Sequence, residues 1–149
     1  MTYKEVTGDI FKDTTGHEAY MQCIGADFAM NKGIAEQFNE RFDTRNLLIK
    51  RHHNNLAMTW DKEPEGFCIV EPRHKVYCLV INRDCWDKPG YNNMRKALRS
   101  AAKECIADGV SELRIPRVSY GFDQLEWENI SQIIQKEFEH TLIDITVYF

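Results

Sequence analysis

The sequence has no excess of positive charge, and this absence excludes one broad class of partner. Its 149 residues carry 19 lysines and arginines against 23 aspartates and glutamates, a formal net charge of −4. Without a basic excess there is no general electrostatic attraction for the phosphates of a long nucleic acid or for an anionic membrane. We therefore expect neither a long nucleic acid nor a membrane as the partner.

Long apolar runs and paired cysteines are also lacking. No run approaches the roughly 20 residues that a membrane-spanning helix needs, and residues 1–5 lack the apolar stretch of a signal peptide. The five cysteines form no Cys-x-x-Cys or Cys-x-x-His pair, which argues against a disulfide framework or a structural zinc site. We expect a soluble, reduced, intracellular protein, cytoplasmic, or nuclear if the source is a eukaryote.

What the sequence does have is a 43% hydrophobic fraction arranged in alternating strand-like and helix-like segments. The length corresponds to a single domain, residues 1–149, with enough chain to bury a core. Apolar residues at helical spacing predict helices over 33–42, 44–53, 91–108 and 125–138. Compact apolar or β-branched runs predict strands over 3–6, 19–24, 56–60, 67–70, 76–81, 113–115 and 144–148. The alternation predicts a three-layer α/β/α fold, with a mixed central sheet and helices on both faces.

Two junctions between a strand and a helix contain the glycines that an anion site needs. They are residues 25–33 (GADFAMNKG) and residues 116–123 (PRVSYGFD). In open α/β sheets ligands gather outside the carboxyl ends of strands, where backbone amides and helix N-termini favour an anion. Two phosphate-sized sites would suit a diphosphate. Neither loop matches G-x-G-x-x-G or the Walker pattern, so an ordinary structural turn remains the alternative.

Two aspartates near these features are candidates for ligand binding or chemistry. Asp9 follows the first strand, where its carboxylate could accept from an exocyclic amine such as that of adenine, or could close a turn on its own backbone. Asp123 forms with Glu126 a pattern that resembles a capping box, yet a carboxylate at a phosphate-binding loop could also activate water. The five histidines show no ligand spacing, so the sequence supports no metal and no cofactor.

Several short motifs follow one another along nearly the whole chain. They are 3–11 (YKEVTGDIF), 30–35 (MNKGIA), 88–93 (KPGYNN), 116–129 (PRVSYGFDQLEWEN) and 145–148 (ITVY). In this order they resemble the motifs of macro domains, in particular the branch that contains terminal ADP-ribose protein glycohydrolase and the antitoxin macro domains that act on ADP-ribosylated DNA.

The resemblance implies a cleft for ADP-ribose or an ADP-ribosylated substrate. It assigns contacts with adenine to Asp9 and Ile10. It assigns contacts with the distal ribose and the diphosphate to Asn31, Lys32, Gly33, Ile34 and Ala35. It also implies a loop whose amides wrap the diphosphate, formed by Ser119, Tyr120, Gly121 and Phe122.

For catalysis, the resemblance places the family's aspartate at Asp123. The branch also uses a lysine just after the central strand, which attacks the distal ribose, and this position corresponds here to Asn82. Asparagine cannot form the covalent adduct that an amine can. We therefore weigh two functions. The first is hydrolysis of an ADP-ribosyl ester on protein or of ADP-ribose 1″-phosphate (Appr-1-p processing), by a monomer without a cofactor, with Asn82 as a ligand contact. The alternative is a non-catalytic ADP-ribose reader.

Overall fold

The computed structural model describes residues 1–30, 33–52, 56–84, 90–117 and 125–149. Its strands are β1 (Thr2–Val6), β2 (Ala19–Gly25), β3 (Phe67–Glu71), β4 (Val76–Asn82), β5 (Glu112–Pro116) and β6 (Asp144–Tyr148). Its helices are α1 (Gly33–Phe42), α2 (Thr44–His52), α3 (Leu56–Lys62), α4 (Tyr91–Ala107) and α5 (Trp127–Phe138). The predicted alternation of strands and helices is confirmed in all but one segment.

The strands form one six-stranded sheet in the order β1-β6-β5-β2-β4-β3. Strand β3 runs antiparallel to β4, whereas the other neighbouring pairs are parallel. All seven residues of β4 are buried, as expected for an apolar strand that is covered on both faces. The mixed sheet predicted from the sequence is confirmed.

Helices cover both faces of this sheet, which gives the predicted three layers. On one face α1, α2 and α3 contribute Phe38, Leu48 and Trp60 to a core that includes Val80 of β4. On the other face α4 and α5 pack against alternate residues of the same strands, Leu79 among them. Within the described ranges, none of the helices has the length and apolar character that crossing a membrane would require.

The predicted strand over residues 56–60 is wrong, because this segment is helix α3. A strand would bury alternate residues, but Met58, which lies between Leu56 and Trp60, is 61% exposed. The two buried side chains are four residues apart and lie on one face of a helix. In so short an apolar run, the strand period of two and the helix period of about 3.6 cannot be told apart. The packing of Trp60 against the sheet decides for the helix.

The start of α5 and the end of α4 each differ by one or two residues from the predicted bounds. Helix α5 begins at Trp127 rather than at Leu125, and Glu126 lies at its N-cap without a side-chain capping bond. Glu126 therefore does not occupy the third helical position that a capping box requires, so that interpretation is wrong for Glu126. Helix α4 ends at Ala107 with Asp108 as its C-cap, and Gly109 follows with a φ of +69°, the left-handed conformation that glycine adopts readily after a helix.

Candidate functional site

The carboxyl ends of β2 and β5 form the edge of the sheet where a ligand cleft is expected. The chain leaves β2 for the helices on one face and leaves β5 for α5 on the opposite face. The two strands pair only through Ala19–Leu113 and Tyr20–Arg114, so their ladder does not extend to the carboxyl end of β2. Open α/β sheets bind ligands at such a switch point. The geometry thus predicts a cleft between the loops that follow β2 and β5.

Asn82 ends β4 beside the start of the first of these loops. The register between β2 and β4 shifts after Ile24, so that Gly25 lies opposite Asn82. The amide of Ala26 then donates to the carbonyl of Asn82 at 3.0 Å, and Asn82 as a whole is 3% exposed. Irregularities of this kind redirect a strand and are common beside functional sites. Asn82 is therefore a buried polar residue at the cleft edge, where the resemblance places a ligand contact.

The first loop keeps its shape because its apolar side chains belong to the core. Phe28 is 1% exposed although its φ of +58° is the left-handed conformation that bulky residues avoid. Its carbonyl accepts from Nε of Arg45 at 3.1 Å, and Oδ1 of Asp27 accepts from the amide of Ala29 at 3.2 Å. Burial of the Phe28 ring offsets the unfavourable backbone conformation.

This loop leads into the N-terminus of α1. Ile34 and Ala35 lie in its first turn, where both are half-buried and pack against the core shared by α1, α2 and α3. Gly33 is the first residue of the helix. The predicted contacts at Asn31 and Lys32 lie outside the described residues. The positive end of the dipole of this ten-residue helix lies at Gly33, where the first loop enters it, and a helix N-terminus is the arrangement expected for an anion site.

Asp9 forms the turn that was the alternative to ligand binding. Its Oδ1 accepts from the amide of Phe11 at 2.9 Å, and its carbonyl accepts from the amide of Lys12 at 3.1 Å. Asp9 is nonetheless exposed, while the next side chain, Ile10, is 4% exposed and packs with the α1 side of the core. The turn is confirmed, and a contact between Asp9 and adenine stays a prediction.

Asp9 and Asn82 are the residues predicted to contact the adenine and the distal ribose of the ligand. Asp9 follows β1, Asn82 ends β4, and strands β6, β5 and β2 lie between them. At about 4.8 Å between neighbouring strands, β1 and β4 are roughly 19 Å apart. The carbonyl of Ile10, the residue after Asp9, accepts from Nη1 of Arg114 at 2.9 Å, so the turn that carries Asp9 is held by β5, two strands away from β4.

The second loop begins and ends at residues that are well anchored. Its predicted ligand contacts at Ser119, Tyr120, Gly121 and Phe122, and the predicted catalytic Asp123, lie outside the described residues. Before the loop, the amide of Arg117 donates to the Tyr148 carbonyl at 2.9 Å, and the guanidinium carbon of Arg117 lies 4.9 Å from the centre of the Phe149 ring. After the loop, the Tyr91 hydroxyl accepts from the amide of Glu126 at 2.8 Å. These contacts fix where the loop leaves β5 and where it enters α5.

Two buried charged residues beside the cleft escaped the reasoning from sequence. They hold the connecting segment, which is residues 10–18 of the chain between β1 and β2 and has Glu18 as its last residue. Arg114 donates to three main-chain carbonyls of the segment. Glu18 accepts from the amide of Thr15 at 3.0 Å and from the amide of Gly16 at 3.1 Å. The sequence signal that could have identified them is a charged residue next to apolar ones, Arg114 between Leu113 and Ile115 and Glu18 just before β2.

The pKa of Glu18 shows that it is held as an anion. Burial by itself raises the pKa of this carboxyl, but the hydrogen bonds from Thr15 and Gly16 outweigh burial and lower the pKa to about 2. Glu18 is therefore ionised at neutral pH although it is 4% exposed. Its carboxylate oxygens accept hydrogen bonds from the connecting segment and are not available to act on a ligand.

The cysteines that the structure describes are unsuited to nucleophilic chemistry. Burial raises the pKa of Cys23, Cys78 and Cys105 to about 12 in each case and raises the pKa of Cys68 as well. Their thiols stay protonated at neutral pH, and the thiolate is the nucleophilic form. In the described ranges there is also no group of three or more histidine, cysteine, aspartate and glutamate side chains that could hold a metal ion.

No family model matches this chain, but two curated proteins resemble it over almost its full length. It is 34% identical over 143 residues to ADP-ribose glycohydrolase OARD1 of Bos taurus, a match that covers 96% of this chain and 88% of that protein. It is 33% identical over 147 residues to the protein of the same name from Homo sapiens, with the same coverage.

Solved structures share the fold at much lower sequence identity. The macrodomain of Mycobacterium tuberculosis DarG matches with a TM-score of 0.77 at 15% identity, over 99% of this chain and 97% of that one. Thermosipho africanus DarTG, solved in complex with ADP-ribose, matches with a TM-score of 0.72 at 16% identity, over 99% of this chain and 41% of that one. At such identities the likeness establishes the fold alone.

Proposed function

Because the chain belongs to the macrodomain family of ADP-ribose glycohydrolases, we propose that it binds ADP-ribose and hydrolyses an ADP-ribose derivative. The substrate is an ADP-ribosyl ester on protein or ADP-ribose 1″-phosphate. The observation that carries this proposal is the 34% identity to a protein named for this hydrolysis, over 96% of the chain. Family membership and this identity make hydrolysis the function that the chain supports best.

The geometry of the described cleft supports an extended diphosphate ligand. The N-terminus of α1 offers backbone amides and a helix dipole to a phosphate at one loop. The turn that carries Asp9 is held by Arg114 of β5, and Asn82 ends β4, two strands away, so the proposed contacts with adenine and with the second ribose come from different parts of the sheet. Backbone donors need no formal charge, so a protein with a net charge of −4 can still bind a small anion.

In this proposal Asp123 orients or activates the attacking water, and Asn82 contacts the ribose without forming a bond to it. A water nucleophile is required because the amide of asparagine cannot serve as the attacking amine. A carboxylate at the loop after β5 is suited to general-base work. The remaining proposed contacts, at residues 31–35 and 119–122, hold the ligand in place.

The alternative is a protein that captures ADP-ribose and does not cleave its derivatives. The observation that favours it is Asn82 itself, which stands where the family's reactive lysine is expected and is buried at the cleft edge. If Asp123 contributes nothing to turnover, only binding remains.

One paired experiment separates the two functions. Calorimetry with ADP-ribose measures binding, while release of ADP-ribose is followed from a peptide esterified at glutamate and release of phosphate from ADP-ribose 1″-phosphate. Binding together with either release supports the hydrolase, and binding with neither supports the reader. Failure to bind ADP-ribose contradicts both.

The cellular setting forms a further part of the proposal. The four described cysteines are free thiols, which suits a reducing compartment such as the cytoplasm or nucleus. We propose a monomer whose partner is the ADP-ribosylated substrate, with no cofactor. Size-exclusion chromatography with light scattering would test the monomer directly.

A further inference from the structure

The connecting segment (residues 10–18) covers part of the sheet without forming a helix or strand. It belongs to the face that α1, α2 and α3 cover elsewhere, since Ile10 lies in their core and the Phe11 ring lies 5.2 Å from that of Phe38. Backbone groups in such a segment have no ladder or helix to pair with, so each buried carbonyl needs another partner. The segment therefore depends on side chains for its shape.

Arg114 supplies those partners from the middle of β5. Its neighbours Leu113 and Ile115 face the core of α4 and α5, so its own side chain faces the connecting segment. Nη1 donates to the Ile10 carbonyl at 2.9 Å and to the Lys12 carbonyl at 2.6 Å. Nη2 donates to the Asp13 carbonyl at 3.1 Å. The planar guanidinium thus fixes three carbonyls within four residues, and Arg114 is 5% exposed.

Glu18 holds the rest of the segment through the opposite kind of group. Its Oε2 accepts from the amide and the hydroxyl of Thr15, and its Oε1 accepts from the amide of Gly16. A buried cation thus binds the carbonyls of the first half, and a buried anion binds the amides of the second half. Two of the bound residues, Asp13 (φ +54°) and Gly16 (φ +86°), have the left-handed backbone conformation.

The first residue that Arg114 holds is Ile10, which directly follows Asp9. The carboxylate of Asp9 is tied to the same turn through the amide of Phe11. A shift of the Ile10 carbonyl would therefore move the peptide that carries Asp9. Burying a charge is weak evidence for a gain in stability, because apolar residues of similar size often serve as well. What an apolar residue cannot supply is a fixed position for these three carbonyls.

We propose that Arg114 is a positioning residue that sets the adenine end of the cleft, by holding the turn that presents Asp9 and Ile10. The inference rests on the proposed function for the identity of the ligand. It adds a residue that touches no ligand and controls affinity for the nucleoside part through the backbone of the connecting segment.

The test compares Arg114→Met and Arg114→Lys with Arg99→Met as the matched control. Arg99 is an exposed arginine of α4 that pairs with Glu137, and α4 covers the face of the sheet opposite the connecting segment. For Arg114→Met we expect at least tenfold weaker binding of both ADP-ribose and AMP, with a raised KM and a kcat changed by less than threefold. Arg114→Lys keeps a cation and should recover part of the lost affinity. Arg99→Met should bind both ligands like the parent protein.

Hydrogen exchange followed by mass spectrometry tests the same inference without a ligand. In Arg114→Met the amides of residues 10–16 should exchange at least tenfold faster, while those of the turn between β3 and β4 keep their rates. The inference is overturned if these amides keep their protection, or if kcat falls as much as affinity while exchange rises throughout the protein. If the parent protein does not bind ADP-ribose, the proposed function fails and the role at the adenine end fails with it. The exchange result still decides whether Arg114 holds the segment.

Discussion

Asn82 and Gly25 lie opposite each other at the ends of β4 and β2, across a shift in register that brings the Ala26 amide to the Asn82 carbonyl at 3.0 Å. This pairing fixes the end of β4 to the start of the first loop. A side chain at position 82 consequently has a defined place at the cleft edge. We therefore expect the identity of that side chain to affect catalysis in the proposed cleft.

Replacing Asn82 by lysine should increase cleavage of an ADP-ribosyl ester. Burial lowers the pKa of a lysine, which makes the neutral, nucleophilic amine available near neutral pH. We expect Asn82→Lys to release ADP-ribose from an esterified peptide at least about tenfold faster than the parent protein, a change of ~1.4 kcal/mol in the barrier. The measurement is single-turnover release at saturating protein. Asn82→Met is the control, because it has similar length and no amine, and equal rates for the two variants would contradict the role of the amine.

Replacing Asp123 by alanine should abolish turnover and leave binding nearly intact. In the proposed mechanism Asp123 acts on water and contributes little to holding the diphosphate, so ADP-ribose affinity should stay within about tenfold, or ~1.4 kcal/mol. Steady-state assays and calorimetry measure the two quantities. The control is Asp144→Ala, at the opposite edge of the sheet, where the aspartate accepts from the Thr2 hydroxyl. Unchanged turnover in Asp123→Ala would remove this residue from the mechanism.

The order of elements could be predicted because most segments are long enough to show their period. Helix α4 places its buried residues, Met94, Ala97, Leu98, Ala101, Ala102 and Cys105, at helical spacing over 17 residues. Helix α3 has only 7 residues, of which two are buried. A pattern of two buried positions is compatible with a strand as well as with a helix. Packing against the sheet, which the sequence does not display, settles such short segments.

The cleft was predictable in outline for a similar reason. Loops after parallel strands gather at the carboxyl ends of those strands, so Asp9 and the loop before α1 could be assigned there from the sequence. Asn82 was assigned to the site through the resemblance to macro domains. Arg114 could not, because its partners are main-chain carbonyls more than 100 residues earlier in the chain. Sequence motifs such as the turn at Asp9 record contacts with nearby backbone groups, but none records a contact with a backbone group so distant in the chain, and only the charge inside an apolar strand hints at it.

Gly66 should tolerate no side chain. A Cβ built there would lie 1.8 Å from the carbonyl oxygen of Asn93 and 2.6 Å from its carbonyl carbon, and both atoms belong to the backbone of α4. Because a helix backbone cannot yield as a flexible side chain does, Gly66→Ala should lower the free energy of unfolding by about 1–3 kcal/mol or more. Urea unfolding measures this value. Gly8→Ala is the control, since a Cβ at Gly8 has no atom within 4 Å, and equal stability of the two variants would contradict the expected overlap.

Glu18 should give the protein a component of stability that disappears in acid. Its pKa is about 2 in the folded protein against 4.5 as the ordinary value, so the folded state favours the anion. This contribution is complete at neutral pH and is lost as the pH falls from about 5 toward 2, because the unfolded chain takes up the proton first. Glu18→Gln should therefore lower the free energy of unfolding by about 1–3 kcal/mol at pH 7. The difference from the parent protein should shrink steadily as unfolding is repeated at lower pH.

The control for this pH series is Glu40→Gln, an exposed glutamate of α1, which should differ little from the parent at any pH. A difference in the free energy of unfolding between Glu18→Gln and the parent that stays constant from pH 7 to about 2.5 would contradict a role of the charge. The effect would then come from altered packing or hydrogen bonding of the side chain. A difference that disappears in acid would show that the anion itself holds the amides of Thr15 and Gly16. The connecting segment would then loosen in acid at this end, while the carbonyls beside Asp9 are held by Arg114.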